Sequence, residues 1–285
     1  ARFSRRGQAY EGLARSGQVA RSAWTGAVRF IEDALMLPLR WKAPRRVFVN
    51  SMSDLFHEKV EDEWIDRIFA VMALTQRHTY QILTKRPERM RAYLTDAKHQ
   101  QRVVNQMDRL LGPAGLVGEN GTDNGSSAYP LVNVWCGTSV EDQATAEERI
   151  PVLLQTPAAV RWASYEPALG PVDFNRITTE QLAVAWIDAL APHRLCGNEM
   201  TRLDWIVVGG ESGPGARPFD LAWARSTIMQ CRAAGVPVFV KQLGTQPMDS
   251  HHGHGEPCCS LSLRDRKGGN PDEWPADLRV REFPG

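Results

Sequence analysis

Four consecutive apolar residues, Trp205-Ile206-Val207-Val208, run straight into Gly209-Gly210-Glu211-Ser212-Gly213-Pro214-Gly215-Ala216-Arg217-Pro218. This junction constrains the fold more than any other stretch. So short an apolar run, β-branched in its second half and bounded by glycines, fits a strand buried on both faces, as in a parallel sheet. Gly209 and Gly210 permit backbone angles that a side chain would forbid, so the chain can turn sharply where the strand stops. Asp220 then suits the N-cap of a helix whose apolar positions Leu221, Ala224, Ile228 and Cys231 recur at three- and four-residue spacing. Gly235 is placed to end that helix before a further strand over 236–240. Strand, polar loop, helix and strand form the repeating unit of α/β proteins, which gather their reactive groups at the carboxyl ends of parallel strands.

The same unit recurs along the chain. Apolar runs predict strands over 46–50, 80–83, 132–136 and 160–163, ahead of the 205–208 and 236–240 strands. Helical periodicity falls over 61–74, with Trp64, Ile65, Ile68, Phe69 and Met72 on one face, and over 87–95, 98–111 and 143–154. Two further helices are expected, one over 30–37 stopped by Pro38, the other capped by Thr179 with Leu182, Trp186 and Ala189 inward. Six strands alternating with helices predict a parallel sheet with right-handed crossovers. No second composition regime interrupts residues 1–285, which read as one barrel-like domain with a basic irregular lead-in (1–45) and surface loops over 112–130 and 245–272.

Composition narrows the class without choosing a function. A chain of 285 residues with 42% hydrophobic and 24% charged residues can bury the core of one large barrel. No apolar run approaches the length that crosses a bilayer. A net charge of +1 makes no case for nucleic acid, although residues 1–46 carry ten Lys/Arg against three Asp/Glu. The five cysteines, at 136, 196, 231, 258 and 259, are odd in number and lack C-x-x-C spacing. They read as reduced thiols of a cytoplasmic protein.

Each apolar run ends in polar or ionisable residues. Asn50, Ser51 and Asp54 follow the first, Thr84-Lys85-Arg86 the second, and Thr138, Ser139 and Glu141 the third. Ser164 and Glu166, Glu211-Ser212, and Lys241-Gln242 follow the other three. Any one of these could simply cap the next helix, since loop starts favour such residues. Six together are better explained by strand ends converging on one mouth, where a ligand partners the buried charges. The Gly209–Gly213 stretch matches neither the dinucleotide fingerprint nor the phosphate-binding loop. His251, His252 and His254 with Cys258 and Cys259 resemble a metal cluster in composition. They fall in a segment with no predicted element to fix ligand geometry, so a polar surface loop is the expected reading. No Gly-x-Ser-x-Gly elbow is present. A metal-assisted hydrolase built on Asp54, Glu141, Glu166 and His57 lacks a second ordered histidine at ligand spacing.

The ordered motifs Ser51-Met52-Ser53-Asp54-Leu55-Phe56-His57, Leu83-Thr84-Lys85-Arg86-Pro87 and Trp135-Cys136-Gly137-Thr138-Ser139-Val140-Glu141, with Ser164-Tyr165-Glu166-Pro167, Gly209-Gly210-Glu211-Ser212-Gly213-Pro214 and Lys241-Gln242-Leu243-Gly244, make up a pattern. It resembles the phage-associated, radical-SAM-like family, the gene product thirty-seven/sixty-eight proteins of phages and prophages. The resemblance runs from about Trp24 to the tail that contains Trp274 and Phe283. It implies a partial (β/α) barrel of the radical-SAM or TIM-like type, S-adenosylmethionine as cofactor, and a [4Fe–4S] cluster held by three cysteines. This chain lacks that triad. Under the resemblance either the triad and the first strand lie upstream of residue 1, the reading that the missing Met favours, or this member has lost the chemistry; as it stands the chain is expected to hold no cluster and to leave an open barrel edge. The implied reaction is radical chemistry on a nucleic-acid or nucleotide-derived substrate, such as DNA modification. The alternative is a cluster-free barrel that binds nucleotide or nucleic acid without catalysis.

Under the resemblance Asp54, Lys85, Glu166, Glu211 and Lys241 become catalytic candidates. Ser51, Ser53, Thr138, Ser139, Glu141, Ser164, Gly209 and Gly210 become cofactor contacts, and Arg86, Ser212, Arg217 and Gln242 substrate contacts. In typical radical-SAM enzymes a Gly-Gly-Glu stretch lies on an early strand. Gly209-Gly210-Glu211 lies late, so that role is not transferred.

Overall fold

A computed structural model describes residues 26–112, 129–180, 184–194, 200–250 and 259–285, together with the backbone of 14–15 and 23–24. Its centre is a six-stranded sheet in which every neighbouring pair is parallel. In chain order the strands are β1 (Arg46–Phe48), β2 (Thr79–Thr84), β3 (Val134–Val140), β4 (Val160–Tyr165), β5 (Trp205–Gly209) and β6 (Val238–Gln242). They stand side by side in that same order, so each crossover places the next strand beside the last. The helices are α1 (Asp62–Leu74), α2 (Pro87–Thr95), α3 (His99–Leu111), α4 (Gln143–Leu154) and α5 (Leu221–Ala234).

The sheet curls into a half-barrel because its two faces bury different things. Residues such as Ile82, Cys136, Ala163, Ile206 and Val240 join the main core under the helices. Their strand neighbours Trp135, Trp162, Trp205 and Val207 form a second cluster, with Leu83, Val160 and Phe239 packed against it. The second cluster lies on the concave face, at the amino ends of the strands. Trp162 lies 5.4 Å from Trp205 and 6.2 Å from Phe48 of the edge strand, ring to ring. A Cβ at Gly137 would collide with the Trp162 ring, so only glycine allows β3 and β4 to keep that ring between them.

The segment 279–285 covers the other edge. Val240 N donates to Val280 O at 2.8 Å and Glu282 N to Val238 O at 3.0 Å, which pairs the segment with β6 in the antiparallel sense. Phe283 then packs 5.3 Å from Trp205, and the Arg46 guanidinium of β1 lies 3.8 Å over the Phe283 ring. The first strand and the segment on the last strand thus meet across an aromatic floor, leaving the carboxyl ends of the strands as the open side.

Two expected helices differ. The stretch over 30–37 is split into Glu32–Leu35 and Leu37–Arg40, because Pro38 tolerates the first turn of a new helix. The helix expected after Thr179 is replaced by an antiparallel pair, Ile177–Thr178 with Trp186–Ile187. Trp186 is exposed there, Ala189 is buried as expected, and Leu182 lies outside the described residues.

Candidate functional site

Strand alternation decides which side chains look into the cup. On β3 and β4, Trp135 and Trp162 face it, so Gly137, Ser139 and Glu141 face it from β3 and Ser164 and Glu166 from β4. The same parity brings Lys85 from β2, Gly209 and Glu211 from β5, and Lys241 from β6. Ser139 is the register partner of Ser164, and Val140 of Tyr165, so Glu141 and Glu166 lie side by side above the two serines.

Each of these carboxylates receives a base from an outer strand. Lys85 Nζ donates to Glu141 Oε1, and Arg149 Nη1 of α4 donates to Glu141 Oε2 at 3.0 Å. The same Arg149 nitrogen reaches Ser139 O at 2.9 Å. Lys241 Nζ donates to Glu166 Oε2 at 2.7 Å, reaching over β5 where Gly209 has no side chain to obstruct it. Asp142 starts α4 directly after Glu141. Its side chain accepts from Thr145 N at 2.9 Å while Thr145 Oγ1 takes up the Glu141 and Asp142 amides, a capping box that fixes where Glu141 leaves the strand.

Two more pairs continue the rim. Asp54 accepts from Phe56 N and Thr84 Oγ1 through Oδ1, at 2.9 and 2.7 Å, and from Lys85 N and Arg86 Nη1 through Oδ2, at 3.2 and 2.9 Å. With four donors on its two oxygens it braces the loop after β1 to the end of β2. Glu211 accepts from Arg217 N at 3.0 Å and Nε at 2.8 Å. These hydrogen bonds hold its carboxyl below the ordinary range.

The four pairs share one polarity. Lys85 is 56% exposed against 11% for Glu141, and Lys241 is 56% exposed against 14% for Glu166. Arg86 over Asp54 and Arg217 over Glu211 follow the same order. Within these four pairs the carboxylate lies inside and the base outside; beyond them Glu58, more exposed than Arg86, lies 3.9 Å from it, and Glu148 lies 3.7 Å from Arg149.

Other expected site residues lie elsewhere. Ser51 and Ser53 line a separate cavity of about 370 Å³ at the β1 edge, among Val47, Val49, Trp64 and Met72. Thr138 is buried between Cys136 and Val140, which belong to the main core, and donates to Thr84 O at 3.0 Å. Gly210 and Gln242 serve the β5–β6 junction. Gly210 N donates to Gln242 O at 3.0 Å and Gln242 Nε2 to Gly210 O at 2.9 Å. A Cβ on Gly210 would come within 2.5 Å of Leu243 O. Ser212 sits in the exposed Glu211–Arg217 loop. The His57 ring turns to its own loop, accepting from Lys59 N at 3.2 Å. His251, His252, His254 and Cys258 lie outside the described residues, as does the side chain of Cys259. Arg149 escaped the sequence reading because it sits mid-helix, where a charged residue ordinarily faces solvent. The start of α4 right after Glu141 was the signal that could have found it.

The family described as a protein of unknown function, DUF5131, matches residues 2–268. The chain belongs to the DUF5131 family. No curated protein and no solved structure matches it. In this DUF5131 chain no helix among the described residues is long and apolar enough to cross a membrane.

Proposed function

We propose that the carboxyl-end rim is the active site of a radical-SAM-like enzyme of the phage gene-product type, acting on a nucleic-acid or nucleotide-derived substrate with S-adenosylmethionine as cofactor. The observation that carries this reading is the common polarity of the four rim ion pairs, bases outward over inward carboxylates. Such a surface attracts phosphate-bearing ligands and keeps acceptors beneath for their polar groups.

The rim suits the methionine end of the cofactor. That end is a zwitterion, and Glu166 with Lys241 is a neutral pair that can meet its ammonium and its carboxylate at once. Gly209 beside the pair lets the ligand approach the backbone. When bound, the cofactor supplies an activated carbon–sulfur bond; the side chains named here orient and bind it. Among the described residues the cluster finds no such fit. Cys136 and Cys231 are buried, and burial pushes both thiols up to about 12, far from the thiolate that a cluster requires. Among the described residues no group of three His, Cys, Asp or Glu side chains could hold a metal. The reading therefore rests on the rim alone.

Calorimetric titration with S-adenosylmethionine tests it. One site is expected, weakened at least tenfold in Glu166→Gln, which keeps the shape and loses the charge. A flat titration of the unaltered protein would remove the enzyme reading. The remaining alternative is then a barrel that binds nucleotide or nucleic acid without chemistry, which the same outward bases support and which predicts salt-dependent binding.

A further inference from the structure

The two ends of the sheet treat their bases differently. At the carboxyl ends, Lys85, Arg86, Arg217 and Lys241 each pair with a carboxylate. At the amino ends, Arg40, Lys42, Arg45, Arg46, Arg77 and Arg281 are exposed, and none makes an ion pair among the described residues. The first four lie within residues 34–53, which contain no Asp or Glu. In the three residues before each strand and in the segment over 279–285, the carboxylates are Asp204 and Glu282. Both are held by the main chain. Asp204 Oδ2 accepts from Arg161 N at 2.7 Å, and Glu282 Oε2 from Val238 N at 3.1 Å. The buried His78 ring reports the same imbalance. Burial lowers its pKa first, a hydrogen bond to Pro38 O opposes this, and the charges that act on it, Arg77 and Arg45, both lower it further.

These cations follow a bent line. Arg77 Nη2 donates to Trp41 O at 2.8 Å, and the Arg45 guanidinium lies 4.6 Å over the Trp41 ring. Arg46, next in the chain, turns to the concave face and lies 3.8 Å over Phe283. Phe283 is 5.1 Å from Phe239, which Arg281 covers at 5.3 Å. The row thus rounds the β1 edge from the helix side to the concave side. A bilayer presents its charge in a plane and suits a flat face with apolar side chains to insert. A single nucleic-acid strand bends over such an edge, which a duplex, stiff over about 50 nm, does not. Five of the six bases are Arg, whose planar fork meets two phosphate oxygens at once. Stacking uses the faces of the Arg45 and Arg46 guanidinia and leaves their in-plane donors to water, since neither side chain donates to a described residue. A phosphate replaces that water without displacing a carboxylate. Arginine and aromatic faces side by side also suit bases of any sequence.

We propose that the amino-end face around Trp41, Arg45, Arg46 and Arg77 is a binding surface for the backbone of a single-stranded nucleic acid, at the end of the sheet opposite the rim. The inference goes beyond the rim reading and does not rest on it, because these contacts hold a strand whether or not chemistry occurs at the carboxyl ends.

The test follows a fluorescein-labelled oligothymidylate by anisotropy, first at fixed low salt and then across a salt series. Arg40→Gln/Lys42→Gln/Arg45→Gln removes three cations that make no ion pair or side-chain hydrogen bond among the described residues, so the parent's unfolding midpoint should be kept. Binding is expected to weaken about tenfold or more, and the slope of log K against log salt to flatten by about 2, as three phosphate contacts at roughly 0.7 each are lost. Lys98→Gln/Arg176→Gln/Lys267→Gln takes the same charge from exposed positions outside the row and should keep most of the affinity. Equal losses in the two triple variants overturn the inference, since the attraction would then be that of net charge alone. So does an unaltered protein that ignores the oligonucleotide but sediments with phosphatidylserine vesicles. Displacement of the oligonucleotide by polyglutamate of matched charge and concentration overturns it too, since any acidic chain would then serve. S-adenosylmethionine titration separates this surface from the rim. Oligonucleotide binding with a flat cofactor titration spares the surface and removes the enzyme reading; cofactor binding without oligonucleotide binding does the reverse.

Discussion

His99 shows at the level of one residue how burial fixes a protonation state. It opens α3 with no exposed surface, wedged 4.1 Å from the Tyr93 ring and 5.4 Å from Phe69, and shares a hydrogen bond with Tyr129. Burial first and the nearby Arg102 charge second lower its pKa from 6.5 to about 4. The Asp66 carboxylate, 3.8 Å away, is already taken by Tyr93 Oη and Arg102 Nε. A lowered histidine stabilises the fold above its unfolded value, and that contribution drains away as pH falls from about 6.5 towards 4, because the unfolded chain takes up the proton first. Urea unfolding at pH 7 and pH 5 should show about 2 kcal/mol lost from this group, and His99→Gln should lose correspondingly less over the same interval. The rim residues were legible at this scale because polar residues begin where each apolar run stops. Which acid meets which base was not, since Lys241 reaches across a whole strand to Glu166. Ser51 and Ser53 were read as mouth residues, yet Asn50 takes a positive φ of 56° and the residues after it line the edge cavity. Sequence reading reserves that conformation for glycine first and asparagine second.

Elements were most legible where capping chemistry marks them. Asp220 accepts from Ala222 N at 2.9 Å at the start of α5, and Gly235 ends that helix with φ 64°, both at the expected positions. The 87–95 and 143–154 helices have their expected bounds. Four strands, β2, β4, β5 and β6, run one or two residues past their apolar runs and β3 runs four past, because polar residues such as Thr84, Ser164 and Lys241 still pair in the sheet, whereas β1 stops two residues short, at Phe48. The Thr179 helix failed because Trp186 and Ile187 suit a β-pair as well as a helix face. A prediction follows for α4, whose cap sits beside the site. Asp142→Ala removes the acceptor for Thr145 N and should cost about 1 kcal/mol in urea unfolding. It should also weaken binding at the rim, because the Glu141 amide is held by the same Thr145 hydroxyl. Unchanged binding alongside lowered stability would show that Glu141 is positioned by Lys85 and Arg149 without the cap.

For the molecule as a whole, the parallel sheet and its single-file strand order follow from the alternation of runs and helices, but the closure of the cup does not. Every apolar strand here has apolar residues on both faces, so the sequence hides which face lies under the helices and which makes the aromatic floor. The floor is completed from far along the chain. Trp205 Nε1 donates to Glu282 O at 2.9 Å, and Phe283 packs against Trp205 and Phe239 with its centroid 5.3 and 5.1 Å from theirs. Arg46 stacks on the same ring from the opposite edge of the sheet, so Phe283 is where β1 and β6 come together. Phe283 is itself partly exposed, so its truncation forfeits less than a full core phenylalanine. Phe283→Ala should cost about 2 kcal/mol, below the 3–5 kcal/mol of a buried ring. The decisive readout is geometric. If Phe283 joins the two edges, its loss should uncover Trp205 and shift tryptophan emission to longer wavelength in the native state, before any denaturant is added. Ligand binding at the rim should weaken as well, because strands free to splay at their amino ends no longer hold Glu141 and Glu166 in register. A variant that loses stability with native emission and rim binding unchanged would mean the sheet keeps its curvature through β3, β4 and their glycine–tryptophan contact alone, with Phe283 only filling space.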